Sequence, residues 1–163
     1  MDIITLSTDW GWKDLSVARI KGAIYSEMVE VQVVDITHDI SPFYIEKTVY
    51  IIKNVYSAFP KESIHLIGVY TDIRLHKKYI IVPFDGYYFV CSDNGLLVLM
   101  YSEYQSEKAI ALETPQDKAT EDASVKIMFA KVACHLLRGS KFKVIGRSID
   151  RFESPITFKP QIN

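Results

Sequence analysis

"IITLSTDWGWKDLSVARIKGAIY", residues 3–25, decides the fold. Its opening "IITLST" (3–8) is apolar and β-branched, the composition of a buried strand. From Asp14 onward Val17, Ile20, Ala23 and Ile24 recur at helical spacing, which predicts a helix over 14–28. Asp14 is placed to cap that helix. Between strand and helix lies the glycine turn "DWGW" (9–12), a shape that often cradles phosphate. Here the turn and its exit carry Asp9 and Asp14, and carboxylates repel phosphate. The acid must serve something else.

Reading outward, "VQVVDI" (31–36) is a second strand, apolar nearly throughout, as strands covered on both faces are. Pro42 opens a second helix in which Ile45, Val49, Ile52, Val55 and Tyr56 share a face until Phe59-Pro60 stops it. "SIHLIGVY" (63–70) is a third strand. Strand, helix, strand, helix, strand with short connections predicts an α/β domain: a central, mostly parallel sheet with helices on both faces. A hairpin follows, "YIIVPF" (79–84) and "YYFVCS" (87–92), turned at Asp85-Gly86. "DNG" (93–95) is another turn, and "LLVLMYSEY" after it fits helix or strand. "KAIALE" (108–113) is a short strand and "TPQDKATED" (114–122) a loop. The last helix spans 121–138, with Val125, Met128, Phe129, Val132, Leu136 and Leu137 at helical spacing and Gly139 as its stop. "RFESPITFKPQIN" reads as a linker, giving a domain over 1–152 and a tail over 153–163.

The 163 residues suffice for one core. A net charge of −1 gives no basic excess to suggest nucleic acid. The apolar runs are only a few residues long and the N-terminus lacks a secretion pattern, so the expectation is a cytoplasmic protein with no membrane partner. Two cysteines, Cys91 and Cys134, sit in apolar surroundings without a Cys or His at ligand spacing, and no metal site is expected. Walker, G-x-G-x-x-G and G-x-S-x-G motifs are absent.

In such sheets ligands bind beyond the carboxyl ends of the strands. Asp9 follows the first strand, Asp35 and His38 the second, and Tyr70 to Asp72 the third. Aromatic residues Trp10, Trp12, Phe43 and Tyr70 are close by in sequence. A carboxylate there can accept two hydrogen bonds from a ribose diol or hold Mg²⁺. The aromatics, on which a base can stack, favour the nucleoside. The plainer alternative has Asp9 and Asp14 as turn and cap residues, and Asp35 with His38 as a local hydrogen-bonded pair. His65 and His135 read as structural.

Four segments taken together, "ITLSTDWGWKDLSVARIKGAIYS", "VVDITHDISP", "SDNGLL" and "FAKVACHLLRG", resemble the N-terminal domain of the S-adenosylmethionine (SAM) hydroxide adenosyltransferase family. That family also includes the SAM-dependent fluorinase and chlorinase. The resemblance covers Ile3 to about Phe152. It implies trimers, a β-rich C-terminal domain absent from this chain, and a ligand held between that domain and a neighbour's N-terminal domain. SAM would be substrate or ligand, with adenosine a possible ligand and no separate cofactor. By resemblance Asp9 holds the ribose hydroxyls, Ser16 touches the methionine portion, and Phe43 lies beside sugar and adenine. Asp14, Asp35, His38, Asp93 and Asn94 would structure the loops.

Hydrolases of the family carry "VDPGVGxxR" and "HGRD", whose Asp, Arg and His form the hydrolytic set. Here the matching segments are "VYTDIRLHK" (69–77) and "SVKI" (124–127). Tyr70, Lys77 and Ser124 therefore occupy the three catalytic positions without matching the residues. Asp72 and Arg74 lie two and three residues out of place. The halide-using relatives share the tyrosine, but Ile73 and Val125 depart from their pattern. The resemblance thus implies a divergent member with weakened or lost conversion of SAM and water to adenosine and L-methionine. The alternatives are a non-catalytic nucleoside-binding or oligomeric module, or a half-enzyme completed by a separate chain.

Overall fold

The computed structural model describes residues 1–41, 44–69, 78–100, 109–112 and 121–149, the first four of the last segment by backbone alone. Strand β1 (Ile3–Thr8) leads through α1 (Ser16–Glu27) to β2 (Gln32–Thr37). α2 (Ile45–Val55) and a 3₁₀ turn (Tyr56–Ala58) then lead to β3 (Ile64–Gly68). β4 (Tyr79–Phe84) and β5 (Tyr87–Ser92) form the hairpin. α3 (Leu96–Met100), β6 (Ala109–Leu112), α4 (Glu121–Leu137), α5 (Phe142–Ile145) and β7 (Gly146–Ile149) complete the described chain.

The seven strands form one sheet in the order β2-β1-β3-β5-β4-β6-β7. β2, β1, β3 and β5 are parallel neighbours, whereas β5-β4, β4-β6 and β6-β7 pair antiparallel. β6 thereby runs with the parallel set, so only β4 and β7 oppose it. The hairpin turn takes positive φ at Asp85 (48°) and Gly86 (76°), the geometry that matches strand twist in a two-residue loop.

Two cores flank the sheet. On one face Ile4 and Leu6 of β1 pack with Ile20 and Ile24 of α1 and with Phe129, Ala130 and Ala133 of α4. On the other, Ile67, Val82 and Phe89 pack with Ile52 of α2 and Leu96, Leu97 and Met100 of α3. Each wholly buried Ile or Leu contributes about 1.5–3 kcal/mol, so α1 and α2 are held on opposite faces by their apolar stripes. α4 ends in a Schellman turn: Gly139 (φ 75°) donates to Leu136 O and Ser140 to His135 O. His135 itself is exposed rather than part of the core.

Two expectations need correction. Among the described strands β2 is the edge strand, paired only with β1, and it is half-buried or exposed along its length rather than buried throughout. The segment 142–149 forms α5 and β7, for which the sequence reading predicts no element. β7 is short and carries Arg147 and Ser148 on its exposed positions, so it shows neither an apolar run nor clean alternation. The register Ala111–Arg147 and Leu112–Gly146 brings the Gly146 backbone so close to Ala111 O that a Cβ would lie 2.1 Å from it. Pro42 lies outside the described residues, and α2 begins at Ile45. Phe59, ahead of Pro60, is extended (φ −92°, ψ 157°), as residues before proline are.

Candidate functional site

Strand order places the site. The chain leaves β1 toward β2 on one side, then crosses to β3 on the other, with α1 and α2 on opposite faces. That reversal opens a crevice beyond the carboxyl ends of β1 and β3. Asp9 and Trp10 stand at the end of β1, Gly68 and Val69 at the end of β3.

The crevice floor is stitched by backbone. Asp9 N–H donates to Gly68 O (3.2 Å), Gly11 N–H to His38 O (2.7 Å) and Ile40 N–H to Thr8 O (3.3 Å). Gly11 takes φ 68°, which lets the turn reverse over the end of β1. The Trp10 indole lies against Gly68, where a Cβ would sit 2.4 Å from Cζ2. Only a glycine at 68 admits the ring there.

Side chains then lock the turn to β2. His38 is buried, its Nδ1 2.7 Å from Thr8 Oγ1 and its Nε2 2.9 Å from Asp35 Oδ1. Since a carboxylate can only accept, Nε2 carries the proton toward Asp35, and a neutral ring takes the Thr8 hydroxyl proton at Nδ1. Thr8 Oγ1 in turn accepts from Trp10 N–H (3.3 Å). Lys21 of α1 reaches the other Asp35 oxygen at 2.5 Å. Burial pushes the Asp35 carboxyl up, yet hydrogen bonds from Lys21 and His38 outweigh it and hold the group below its usual range. Trp12 is exposed and packs edge-on against His38 (4.5 Å between centroids).

On the α1 side the helix starts at Ser16 with Leu15 at the N-cap and no side-chain bond from it; Asp14, expected as the cap, stands one residue earlier, where its Oδ1 accepts from the free first-turn Ser16 N–H at 2.6 Å. The hydrogen bonds of Ser16 keep the Asp14 carboxyl below its ordinary value. Ser16 is buried, and its hydroxyl accepts from Lys126 Nζ of α4 at 2.7 Å. Lys126 is only 5% exposed, with its ammonium 5.0 Å from the centre of the Trp10 ring. At the end of β5, Asp93 and Asn94 are buried. Asp93 N–H donates to Lys78 O, Asn94 Nδ2 donates to Val69 O (3.3 Å), and Leu96 N–H donates to Asn94 Oδ1 (3.1 Å), which ties β3 to the start of α3.

The structure thus brings Asp9, Trp10, Ser16 and the Asp35–His38 pair to one edge of the sheet. Tyr70, Lys77 and Phe43 lie outside the described residues, and Ser124 is described by its place in α4 alone. Sequence reading missed Lys126. A signal for it exists: Lys126, Phe129, Ala130 and Ala133 share one helical face, and the other three are core. Among the described residues no group of three His, Cys, Asp or Glu side chains is arranged to hold a metal ion, and no helix is long and apolar enough to cross a membrane.

Strand order β2-β1-β3 with helices on both faces makes this a doubly wound α/β domain with its switch point between β1 and β3. Residues 4–146 match the model of the SAM hydroxide adenosyltransferase N-terminal domain. The chain belongs to that family. It is 28% identical over 142 residues to the (R)-S-adenosyl-L-methionine hydrolase of Methanocaldococcus jannaschii, a match covering 84% of this chain and 54% of the relative. The chain thus spans about half the length of that curated relative. Among solved structures, an uncharacterized conserved protein from Thermotoga maritima superposes with a TM-score of 0.78 at 26% identity, covering 98% of this chain and 63% of that one. A conserved hypothetical protein from Thermus thermophilus shares the fold with a TM-score of 0.70 at 22% identity, covering 91% and 58%.

Proposed function

We propose that this chain binds the adenosyl end of SAM or a related nucleoside in the crevice beyond β1 and β3, and that its hydrolysis of SAM is weakened or lost. The observation that carries the binding half is the position of Asp9. Its backbone bridges β1 to β3 at the switch point, one residue before the Trp10 that packs on Gly68. A carboxylate there matches a ribose diol, which offers two O–H donors, and it disfavours phosphate.

The catalytic half rests on Tyr70, Lys77 and Ser124. Displacement at the ribose C5′ by water needs the water aligned opposite the sulfonium, in a site that excludes bulk solvent. The family resemblance puts the aspartate, arginine and histidine of the hydrolytic set at these three positions, and none is retained. Members of such a set act as a unit, so losing one costs nearly as much as losing all. A trimer, with each crevice closed by a neighbouring copy or by a separate chain, is part of the same proposal.

The test is incubation of purified protein with SAM at high enzyme concentration, with adenosine and L-methionine quantified by mass spectrometry. The expected result is release at or only slightly above the rate without protein. Release at an ordinary enzymatic turnover of about 1 s⁻¹ or more contradicts the loss of hydrolysis and leaves nucleoside binding standing.

A further inference from the structure

The charge of the chain is unevenly placed. Residues 125–149 carry six of its 19 Lys and Arg and none of its 20 Asp and Glu. The same stretch builds most of α4 and all of α5 and β7, and a groove of about 430 Å³ lies between the two helices. Ile127, Met128 and Val132 line it from α4, Val144 and Ile145 from α5. Its polar lining is basic: Lys131 and His135, one turn apart on α4 and both exposed. Val144 is 80% and Ile127 43% exposed, so apolar surface stands open to water on both walls. Among the described residues no acidic side chain pairs with Lys131, Lys141, Lys143 or Arg147, whereas Arg138 is tied to Glu27.

From this arrangement we infer that the groove between α4 and α5 binds a single-chain anionic amphiphile. The apolar chain lies along Met128, Val132 and Val144, and a carboxylate or phosphate head meets Lys131 and His135. The volume suits a small ligand, and the few polar groups on an aliphatic lining fix which end of it faces them. Chain burial removes the exposed walls from water, and the free ammonium of Lys131 gives the head a charge-assisted hydrogen bond. Nucleic acid fits poorly, because no aromatic ring lines the groove among the described residues for a base to stack on. A concave groove also suits one chain better than the flat face of a bilayer. This is a second site, built from residues that the nucleoside crevice does not use.

Calorimetric titration of the full chain below micellar concentrations tests it, with octanoate, decanoate, decyl phosphate and the neutral decyl maltoside as probes. Decanoate is expected to bind roughly tenfold more tightly than octanoate, because two more methylene groups are buried. Decyl maltoside should bind about tenfold or more weakly than the better of decanoate and decyl phosphate, which names the head group. Lys131→Glu removes the cation and Val144→Glu sets a charge in the path of the chain; each should weaken decanoate binding severalfold. Both positions are exposed, so both variants are expected to fold, as melting curves check. Equal affinity for octanoate and decanoate overturns the site, as does a neutral probe that binds as well as the anionic ones. Decanoate affinity unchanged in both variants overturns it too. So does protein that binds neither anionic chain, including protein that sediments with phosphatidylglycerol vesicles instead. Adenosine titrations should match wild type in both variants, so failure of the nucleoside site and failure of this groove are read separately.

Discussion

The Trp10 indole occupies the space that a side chain at Gly68 would need, with Cζ2 2.4 Å from the position of a Cβ. This contact fixes the height of the "DWGW" turn above the end of β3 and so the place of Asp9. Gly68→Ala forces the ring or the turn to move, and overpacking of this kind costs about 1–3 kcal/mol. A lowered denaturation midpoint with unchanged denaturant dependence is the expected readout. Trp10→Ala in the same background should recover part of the loss, because the two sites couple through one contact.

Asp35 is the shared acceptor of Lys21 and His38, the latter buried. Asp35→Ala strands the His38 ring N–H and should cost roughly 1–3 kcal/mol in thermal or chemical unfolding; Asp35→Asn, which keeps an acceptor, should cost less. The folded-state pKa of Asp35 lies below the ordinary 3.8. Its contribution is therefore fully present above the unfolded value and disappears as pH falls through the folded one. Wild type should thus lose stability below about pH 4 more steeply than Asp35→Ala does.

His65 gives a second and separate acid response. Its ring is buried beside Phe89 and Tyr87, Nδ1 lies 2.7 Å from Thr5 Oγ1, and Nε2 has no hydrogen-bond partner among the described residues. Burial pushes its pKa from 6.5 down to about 4. Between those values the unfolded chain binds a proton that the folded chain does not, so stability falls as pH drops from 6.5 toward 4. The slope approaches about 1.4 kcal/mol per pH unit for one proton. Replacing both partners, Thr5→Val with His65→Leu, should flatten this part of the pH–stability curve.

Asp14, one residue before the N-cap Leu15, satisfies the first-turn Ser16 N–H of α1. Asp14→Ala should lower stability by about 1 kcal/mol, while Asp14→Asn, which keeps a capping oxygen, should stay close to wild type. Melting temperatures of the three proteins check this.

The sheet and its order of elements were legible because β1, β3 and the β4–β5 hairpin are long apolar or turn-punctuated runs, and α1 and α2 have one clear apolar stripe. What stayed hidden depends on neighbours. β2 reads as apolar throughout, and only the strand order reveals it as an edge. β7 has too few residues to show a period. At the site, Asp9, Ser16 and the Asp35–His38 pair stand next to strand ends in the sequence itself, so their residue types suffice to raise them. Lys126 is 110 residues from Ser16 along the chain. The helical face it shares with Phe129, Ala130 and Ala133 signals its burial, but its contact with Ser16 comes from the packing of α4 on α1, which the pattern of α4 alone does not encode.

The central claim is that the crevice at the end of β1 grips a ribose through Asp9. Calorimetric titration of wild-type protein and Asp9→Ala with adenosine and 2′-deoxyadenosine tests it most directly, with melting curves to confirm that the variant folds. The account predicts saturable binding of adenosine by wild type. It predicts a loss of roughly tenfold or more in affinity either for Asp9→Ala or on removal of the 2′-hydroxyl, the scale of one hydrogen bond to a charged group. Absence of adenosine binding by wild type, or equal affinity in a folded Asp9→Ala, contradicts it.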